Sequence, residues 1–178
     1  MDMYKLKFTK LQNEIFRLLC IKAGISLNQR GIARILNVSP TAVAKALYLL
    51  DKEKIVIVSK SKEMNLTSIQ LNRDKAVGFK RVENLKLIYE SGLLGFLEEK
   101  FPGSTIILFG SYSKGEDTIK SDIDIAIIGK EKKIDLIKFD KLLERRIFLH
   151  FYPSLKEMKK ELKENILNGI ILFGGIEL

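Results

Sequence analysis

Two short groups of residues near the middle of the chain combine side chains that can do chemistry together. Gly110 and Ser111 follow one apolar run, and Asp122 and Asp124 open the next one, after a spacer from Tyr112 to Ser121. Because side chains alternate along a strand, both aspartates would point to one face of it. Unpaired carboxylates in an apolar strand are costly, and a divalent cation removes that cost. The pattern therefore predicts a site for Mg²⁺, or for Mn²⁺, at Asp122 and Asp124.

The glycine–serine pair is suited to binding phosphate. Gly110 has no Cβ, so its backbone can approach a phosphate closely, and Ser111 offers a hydroxyl and an N–H at a helix start. Lys114 can hold a further phosphate oxygen as a point charge. Mg²⁺ takes one or two carboxylates and completes its octahedron with water and substrate phosphate. The two groups together predict a site for a phosphate-bearing ligand.

The stretch Leu108–Ile128 resembles the nucleotidyltransferase superfamily that includes DNA polymerase β, and within it the minimal nucleotidyltransferases of bacteria and archaea. Their shared pattern is an apolar strand, Gly-Ser, a spacer of similar length and Asp-x-Asp in a second strand. The resemblance extends over residues 85–176, and Ser121-Asp122-Ile123-Asp124 is typical of the family. It implies that Gly110 and Ser111 bind the triphosphate of a nucleotide. It also implies that Asp122 and Asp124 are catalytic and hold Mg²⁺.

The reaction implied by this resemblance transfers a nucleoside monophosphate. An acceptor hydroxyl attacks the α-phosphate of a nucleoside triphosphate and pyrophosphate leaves, while metal ions stabilise the attacking and leaving oxygens. A protein or an RNA can serve as the acceptor. The alternative interpretation of the two aspartates is an ordinary strand end or a structural ion site.

The chain departs from the family pattern at one position. Active members usually carry a third carboxylate on the next core strand, which here covers residues 147–152 and contains no acid. If its odd-numbered apolar residues face the core, His150, the only histidine, faces the site. An imidazole can accept the proton of an acceptor hydroxyl near neutral pH, or it can simply bond a neighbour in the strand. Glu144, on the preceding helix, is a second candidate for the missing acid.

The charge of the chain is concentrated in its first part. Among 178 residues, 31 Lys and Arg face 22 Asp and Glu, a net charge of +9; residues 1–75 carry +8 and residues 76–178 carry +1. The single cysteine excludes an internal disulfide framework, and the lack of a Cys/His cluster excludes a structural zinc site. No apolar run reaches the length of a membrane span, and the N-terminus does not resemble a secretory signal. We therefore expect a cytoplasmic protein without a membrane partner.

The sequence of the basic part, residues 1–75, predicts three helices followed by two strands. Apolar periodicity indicates a first helix that ends before Gly24 and a second over Gln29–Leu36, with Ile32, Ile35 and Leu36 inward. The third helix then follows Ser39, because serine is a good N-cap. Pro40 suits the first helical position, where the missing N–H of a proline costs nothing.

The third helix runs from Pro40 to Lys52 with a core stripe of four residues: Val43, Ala46, Leu47 and Leu50. Strand-like runs follow at Ile55–Val58 and Leu66–Leu71. Over residues 10–72 this order resembles the winged helix-turn-helix domains of prokaryotic regulators. The resemblance implies that the third helix enters the major groove of DNA and that the strand ribbon reaches the adjacent backbone.

Seven side chains are candidates for contact with nucleic acid: Arg30, Arg34, Thr41, Lys45, Tyr48, Lys60 and Lys62. The arginines and the two ribbon lysines are suited to phosphates. The third helix offers few of the residues that usually read bases, so affinity is better supported than sequence specificity. Winged helices also dock proteins, which is the alternative interpretation. A homodimer is a further expectation, because winged-helix regulators often dimerise.

Together these patterns predict an α+β protein. We expect a winged helix-turn-helix domain at residues 1–74, a helical linker at 75–100 and a small nucleotidyltransferase domain, a mixed sheet with flanking helices, at 101–178. The first functional hypothesis is a Mg²⁺-dependent nucleotidyltransferase that binds DNA through its winged helix. The second is a winged-helix transcriptional regulator whose second domain binds nucleotide without turnover. A third makes the chain an antitoxin-like partner that modifies a cognate protein.

Overall fold

The computed structural model describes residues 7–60, 67–156 and 158–176. Its internal contacts divide the chain into two units, Met1–Ala76 and Val77–Leu178. Each unit buries an apolar cluster of its own, which is what allows two separate folds in a chain of this length. Within the described ranges, no helix is long and apolar enough to cross a membrane.

The first unit has the predicted order of three helices and a strand ribbon. Its elements are α1 (Lys10–Ile21), β1 (Leu27–Asn28), α2 (Gln29–Ile35), α3 (Pro40–Lys52), β2 (Val56–Lys60) and β3 (Thr67–Leu71). The strands form an antiparallel sheet in the order β1-β3-β2. A helix-turn-helix followed by such a ribbon is the winged helix-turn-helix topology, so the predicted fold of this part is confirmed.

Side-chain caps explain where the helices of the first unit begin. Asn28 accepts a hydrogen bond from the N–H of Gly31 at 2.7 Å, and the hydroxyl of Ser39 accepts one from Ala42 at 3.1 Å. Both side chains satisfy backbone donors that the first turn of a helix leaves without a partner. Pro40 occupies the first turn of α3, as predicted.

The core of the first unit follows the predicted periodicity with one exception. The four stripe residues of α3 are buried, but Ile35, expected inward on α2, is 54% exposed. Ile32 and Ala33 are the buried residues of that helix. Since these two are adjacent, the inward face of α2 is centred between them, and Ile35 falls outside it. The prediction for Ile35 was therefore wrong.

The second unit is built around a mixed four-stranded sheet. Its elements are α4 (Arg73–Glu90, which starts before the unit boundary), α5 (Leu93–Lys100), β4 (Thr105–Phe109), α6 (Gly110–Lys114), β5 (Ile123–Ile128), α7 (Ile137–Leu143), β6 (Ile147–Tyr152), α8 (Lys160–Leu167) and β7 (Ile170–Phe173). The strand order is β6-β5-β4-β7. Strands β5 and β6 are parallel, whereas β4 is antiparallel to both of its neighbours. The chain is thus α+β, as expected.

The helices expected to form a linker belong to the core of the second unit. Ile88 on α4 and Leu93, Leu94 and Leu97 on α5 are buried in one cluster with residues of β4 and β5. Gly92, at φ 75°, separates the two helices. The apolar residues of α4 and α5 pack against the sheet, so these two helices form part of the second unit and do not act as a linker.

Several element boundaries differ from those that the sequence pattern predicts. Apolar periodicity predicts a helix over residues 134–146, but α7 covers Ile137–Leu143 and ends there because Glu144 takes a left-handed conformation with φ 51°. The sequence predicts a last helix over residues 154–167, whereas α8 begins at Lys160. Strand β5 starts at Ile123, one residue after Asp122. The apolar end of the chain, Ile170–Phe173, pairs with β4 as an edge strand.

Strand alternation gives the sheet two different faces. Ile123, Ile125 and Ile127 of β5 are buried in the cluster that includes α4, α5 and α7. Ala126 is buried in a smaller cluster on the opposite face, and Asp124 lies on that same face because residues two apart share a side. The strands therefore present Asp124 away from the larger core.

Candidate functional site

The glycine–serine turn lies directly against the second aspartate. Strand β4 ends at Phe109, which pairs with Asp124 of β5. Gly110 follows with φ 74°, and a Cβ at that position would lie 2.9 Å from Oδ2 of Asp124. Both the left-handed backbone and the lack of space require glycine here. The antiparallel register thus brings together two motif residues that the spacer separates in sequence.

His150 contacts the other oxygen of Asp124. Its Nε2 lies 2.9 Å from Oδ1, and since a carboxylate can only accept, the imidazole donates. The parallel register places His150 opposite Ala126 and therefore beside Asp124 on the same face. The ring also meets Phe109 edge-on, with centroids 5.3 Å apart. Because the side chains of Asp124 and His150 remain 32% and 37% exposed, a ligand can reach both.

Asp122 lies at the edge of this arrangement. It is exposed just before β5 and lines an open cavity of about 420 Å³ together with Ser121, Glu144 and Arg146. In the parts of the chain that the structure describes, no three His, Cys, Asp or Glu side chains form a group that could hold a metal ion. Among the described residues, Asp122 and Asp124 therefore belong to no larger group of metal ligands, and Glu144 lines the same cavity as Asp122.

The remaining predicted phosphate ligands lie on α6. Ser111 is half-buried in its first turn, and Lys114 is exposed at its last residue. The short helix is closed by Gly115 at φ 78°. These positions leave both side chains on the segment that begins at Gly110.

A buried polar cluster next to this segment had no counterpart in the sequence interpretation. Lys80, Asn84, Asp117 and Arg145 are all at most 5% exposed, and Asp117 lies in the spacer itself. Their partners are far apart in the sequence: 37 residues separate Lys80 from Asp117. The one available signal was the spacing of Lys80 and Asn84, which lie four residues apart and therefore on one face of a helix.

An aromatic and basic pair beside His150 was also missed. The guanidinium of Arg146 lies 5.1 Å from the ring centre of Phe148, a cation–π contact. Phe148 pairs with Asp124 in the parallel register and is 38% exposed. Even-numbered residues of β6 thus share the face that carries Asp124.

The candidate nucleic-acid residues of the first unit are exposed. Thr41, Lys45 and Tyr48 are spaced four and three residues apart, so they share one face of α3, and Tyr48 is 73% exposed. Arg30 and Arg34 are exposed one turn apart on α2.

The side chains of the two ribbon lysines lie outside what the structure describes. Lys60 ends β2, and its side chain is not described. Lys62 lies outside the described residues. The predicted contact of the ribbon with nucleic acid therefore stays a prediction.

Comparison with known families agrees with the geometry of the second unit. Residues 90–173 match the family model of the nucleotidyltransferase domain. The fold of the second unit is that of a nucleotidyltransferase domain. The matched range includes Gly110, Ser111, Asp122, Asp124 and His150. A search of curated proteins found no match to the chain.

Solved structures similar to the chain include those of two bacterial proteins. ZitR of Lactococcus lactis, described as a zinc-responsive MarR family member, is 22% identical over 57% of this chain and 68% of its own, with a TM-score of 0.43. The adhesin competence repressor AdcR of Streptococcus pyogenes is 22% identical over 57% of this chain and 72% of its own, with a TM-score of 0.44. A structure of ZitR in complex with DNA is 25% identical over 56% of this chain and 66% of its own, with a TM-score of 0.43. The alignments span about two thirds of the ZitR chain, and the winged-helix assignment stands on the element order and strand pairing described above.

Proposed function

We propose that the chain is a Mg²⁺-dependent nucleotidyltransferase that transfers a nucleoside monophosphate from a nucleoside triphosphate to an acceptor hydroxyl. The observation that carries this proposal is the contact geometry of Gly110 and Asp124: the turn suited to phosphate and the carboxylate suited to a cation meet at a distance where a Cβ would not fit. A phosphate held by this turn would therefore lie beside a carboxylate, which requires a cation between them.

The two oxygens of Asp124 have different neighbours, which supports different roles. Oδ1 accepts the hydrogen bond from His150, while Oδ2 faces Gly110. Asp122 and Asp124 would hold Mg²⁺ or Mn²⁺, whose ligand shell accepts one or two carboxylates together with phosphate oxygens and waters. When bound, the ion neutralises phosphate charge and polarises the phosphoryl group. Ser111 and Lys114 would bind the remaining phosphate oxygens.

His150 would accept the proton of the acceptor hydroxyl. Because Nε2 donates to Asp124, a neutral imidazole carries its lone pair on Nδ1, and this nitrogen is the available base. Asp124 holds the ring in one orientation, as a carboxylate does for the histidine of a hydrolase triad. This arrangement supplies a base where the strand lacks a third carboxylate. The expected gain from such a base is about 10²-fold or more in rate.

A label-transfer assay tests the enzyme proposal. The full chain is incubated with α-labelled ATP, CTP, GTP or UTP, Mg²⁺ or Mn²⁺, and RNA or protein acceptors. We expect transfer by the wild type and a loss of about 10³-fold in Asp124→Asn, since charge stabilisation by the ion contributes several kcal/mol. Asp135→Asn, an exposed aspartate whose cap to Ile137 an asparagine can keep, is the matched control. Equal transfer by Asp124→Asn and the wild type would contradict the proposal.

Nucleotide binding without turnover is the second candidate function. It is favoured by two features: β6 carries no carboxylate, and Oδ1 of Asp124 is already engaged by His150. In that case the wild type binds nucleoside triphosphate with Mg²⁺ and transfers no label to any acceptor. Isothermal titration with a non-hydrolysable triphosphate, run beside the transfer assay, separates the two functions.

For the first unit we propose DNA binding through α3. The proposal is supported by the +8 charge of residues 1–75 and by the exposed face of Thr41, Lys45 and Tyr48. Contacts of this kind neutralise phosphates and release counterions, so binding must weaken steeply as salt rises. Duplex binding by the full chain, measured between 50 and 200 mM salt, tests it. Undetectable or salt-independent binding would exclude this role and favour protein docking.

A further inference from the structure

The loop between the phosphate-binding turn and the two aspartates is anchored by one buried carboxylate. Asp117 is 1% exposed, and both of its oxygens are engaged. Oδ1 accepts hydrogen bonds from Nζ of Lys80 and from Nδ2 of Asn84, the latter at 2.7 Å. Oδ2 accepts from Nη2 of Arg145 at 3.4 Å. The spacer is therefore tied to two other segments of the second unit at a single residue.

The first tie leads from α4 to the glycine–serine segment. Asn84 donates to Asp117 and also to the carbonyl oxygen of Tyr112 on α6, at 2.9 Å. Gly115, which closes α6, lies so close to α4 that an added Cβ would come 2.7 Å from the backbone nitrogen of Arg81. Helix α4 thus holds α6 both through a side chain and through direct backbone packing.

The second tie leads to the aspartates. Arg145 precedes Arg146, whose carbonyl oxygen accepts the hydrogen bond of the Ile123 N–H at 2.8 Å. Ile123 stands between Asp122 and Asp124. Through Lys80 and Asn84 on one side and Arg145 on the other, Asp117 is thus connected to both halves of the candidate site.

The chemistry of the cluster favours a geometric role over a stabilising one. Burying charged groups carries a large desolvation cost, so well-packed apolar residues would often be as stable or more stable at the same positions. A buried polar network with paired members, by contrast, accepts few alternative arrangements. Such a network is suited to a loop whose two ends must keep a fixed separation.

We propose that Asp117 is a positioning residue of the nucleotide site, which holds the turn at Gly110 and the aspartates of β5 in one relative geometry. Resting on the proposed function, this inference adds that Lys80 and Arg145 act through Asp117 and touch neither nucleotide nor metal. Displacement of catalytic groups by about 1 Å can reduce activity by about 10²-fold, so a loosened spacer must weaken the site even in a folded protein.

Hydrogen–deuterium exchange of the full chain tests the positioning role without reference to activity. In Asp117→Asn, which keeps the size of the side chain and removes its charge, we expect faster exchange of backbone amides in residues 111–122. Leu97→Ala is the matched control, because Leu97 is buried in the same unit but lies on α5, outside the cluster. It should raise exchange throughout the unit and not selectively in the spacer. Unchanged or uniformly raised exchange in Asp117→Asn would overturn the inference.

Nucleotide binding completes the test under conditions where circular dichroism shows each variant folded. With Mn²⁺ and ATP as the probe, we expect the dissociation constant of Asp117→Asn to rise about tenfold or more, while that of Leu97→Ala changes little. Lys80→Met keeps the pair of Asp117 and Arg145, so it provides a milder variant if Asp117→Asn does not fold. We expect Lys80→Met also to show faster hydrogen exchange selectively in the spacer and weaker nucleotide binding. If a folded cluster variant binds the nucleotide with wild-type affinity, only this inference is overturned. If the wild type itself does not bind the nucleotide, the proposed function is rejected, and with it the assignment of the cluster to a nucleotide site.

Discussion

The two units carry their candidate residues in opposite ways. In the first unit, Lys45 and Tyr48 are exposed on α3, at positions that the helix periodicity alone provides. In the second unit, Asp124 is held between Gly110 and His150, and the surrounding loop is tied by buried charges. In a complex with DNA, surface residues of the first kind would contribute nearly independently, because each would contact its own phosphate. Residues of the second kind depend on one another, so one change alters the whole site.

This difference separates the expected effects of mutation by size. Removing one surface charge should change affinity slightly and mainly through salt dependence. Removing a group that is positioned by neighbours should remove the function of those neighbours as well. The four predictions below test this distinction, starting with the largest effect.

Among these four variants, His150→Gln should have the largest effect. A glutamine amide can still donate to Asp124 but cannot accept a proton, so the variant separates orientation from base catalysis. We expect transfer to fall about 10²-fold at saturating nucleotide, with nucleotide affinity nearly unchanged. Tyr152→Phe, on the same face of β6, is the control. If His150→Gln transfers label at the wild-type rate, His150 is not the base and the site is less interdependent than described.

Gly110→Ala should weaken nucleotide binding by about tenfold, since its Cβ would come 2.9 Å from Oδ2 of Asp124 and displace that carboxylate. Gly103→Ala is a matched control: its φ of 75° is nearly the same as the 74° of Gly110, but an added Cβ would meet no atom within 4 Å. Both variants carry the cost of a left-handed alanine, so the difference in affinity isolates the contact with Asp124. Equal affinities would show that the turn and Asp124 act separately.

Ser39→Ala tests whether the first unit also depends on positioning. The loss of the cap to Ala42 should lower the free energy of unfolding of that unit by about 1 kcal/mol, which is about fivefold in the unfolding equilibrium constant. Hydrogen exchange in α3 measures it, with the exposed Ser59→Ala as the control. DNA affinity should stay within about twofold, because the exposed face of α3 is preserved in the folded state. A large loss of DNA affinity in the folded variant would remove the contrast between the units.

Lys45→Ala should have the smallest effect. The logarithm of DNA affinity falls with the logarithm of salt concentration, and loss of one phosphate contact makes this slope about 0.9 less steep. The factor by which affinity falls between 50 and 200 mM salt should therefore be about threefold smaller than in the wild type. Lys10→Ala on α1 removes the same charge from an exposed position away from α3. An equal change in slope for both variants would mean that net charge, and not the face of α3, accounts for DNA binding.

Much of the fold was predictable because it depends on neighbours in the sequence. The start of α3 follows from Ser39 and Pro40, and its stripe of buried residues follows from helix periodicity. Ile35 shows the limit of that reasoning, since periodicity does not decide where an inward face is centred on a short helix. The helices at 75–100 were recognised, but their place in the core depended on a sheet that lies later in the chain.

The candidate site divides in the same way. The residue types and spacing at Gly110, Ser111, Asp122 and Asp124 indicate phosphate and metal chemistry without any coordinates. Alternation along β6 also indicated which side His150 would face, and the structure places its Nε2 2.9 Å from Asp124. Asp117 carried no such signal, because a carboxylate in a polar loop has the same sequence pattern whether it is exposed or buried.

The sequence by itself thus determined the order of the elements, the concentration of positive charge in the first unit and the residue types of the site, since each depends on composition or on residues a few positions apart. The tertiary structure alone decided that Gly110 lies against Asp124 and that Lys80 and Arg145 hold Asp117. Strand register sets the first of these contacts, and the packing of α4 against the spacer sets the second. Lys80 and Asp117, which are 37 residues apart, meet only when the sheet and its helices are assembled.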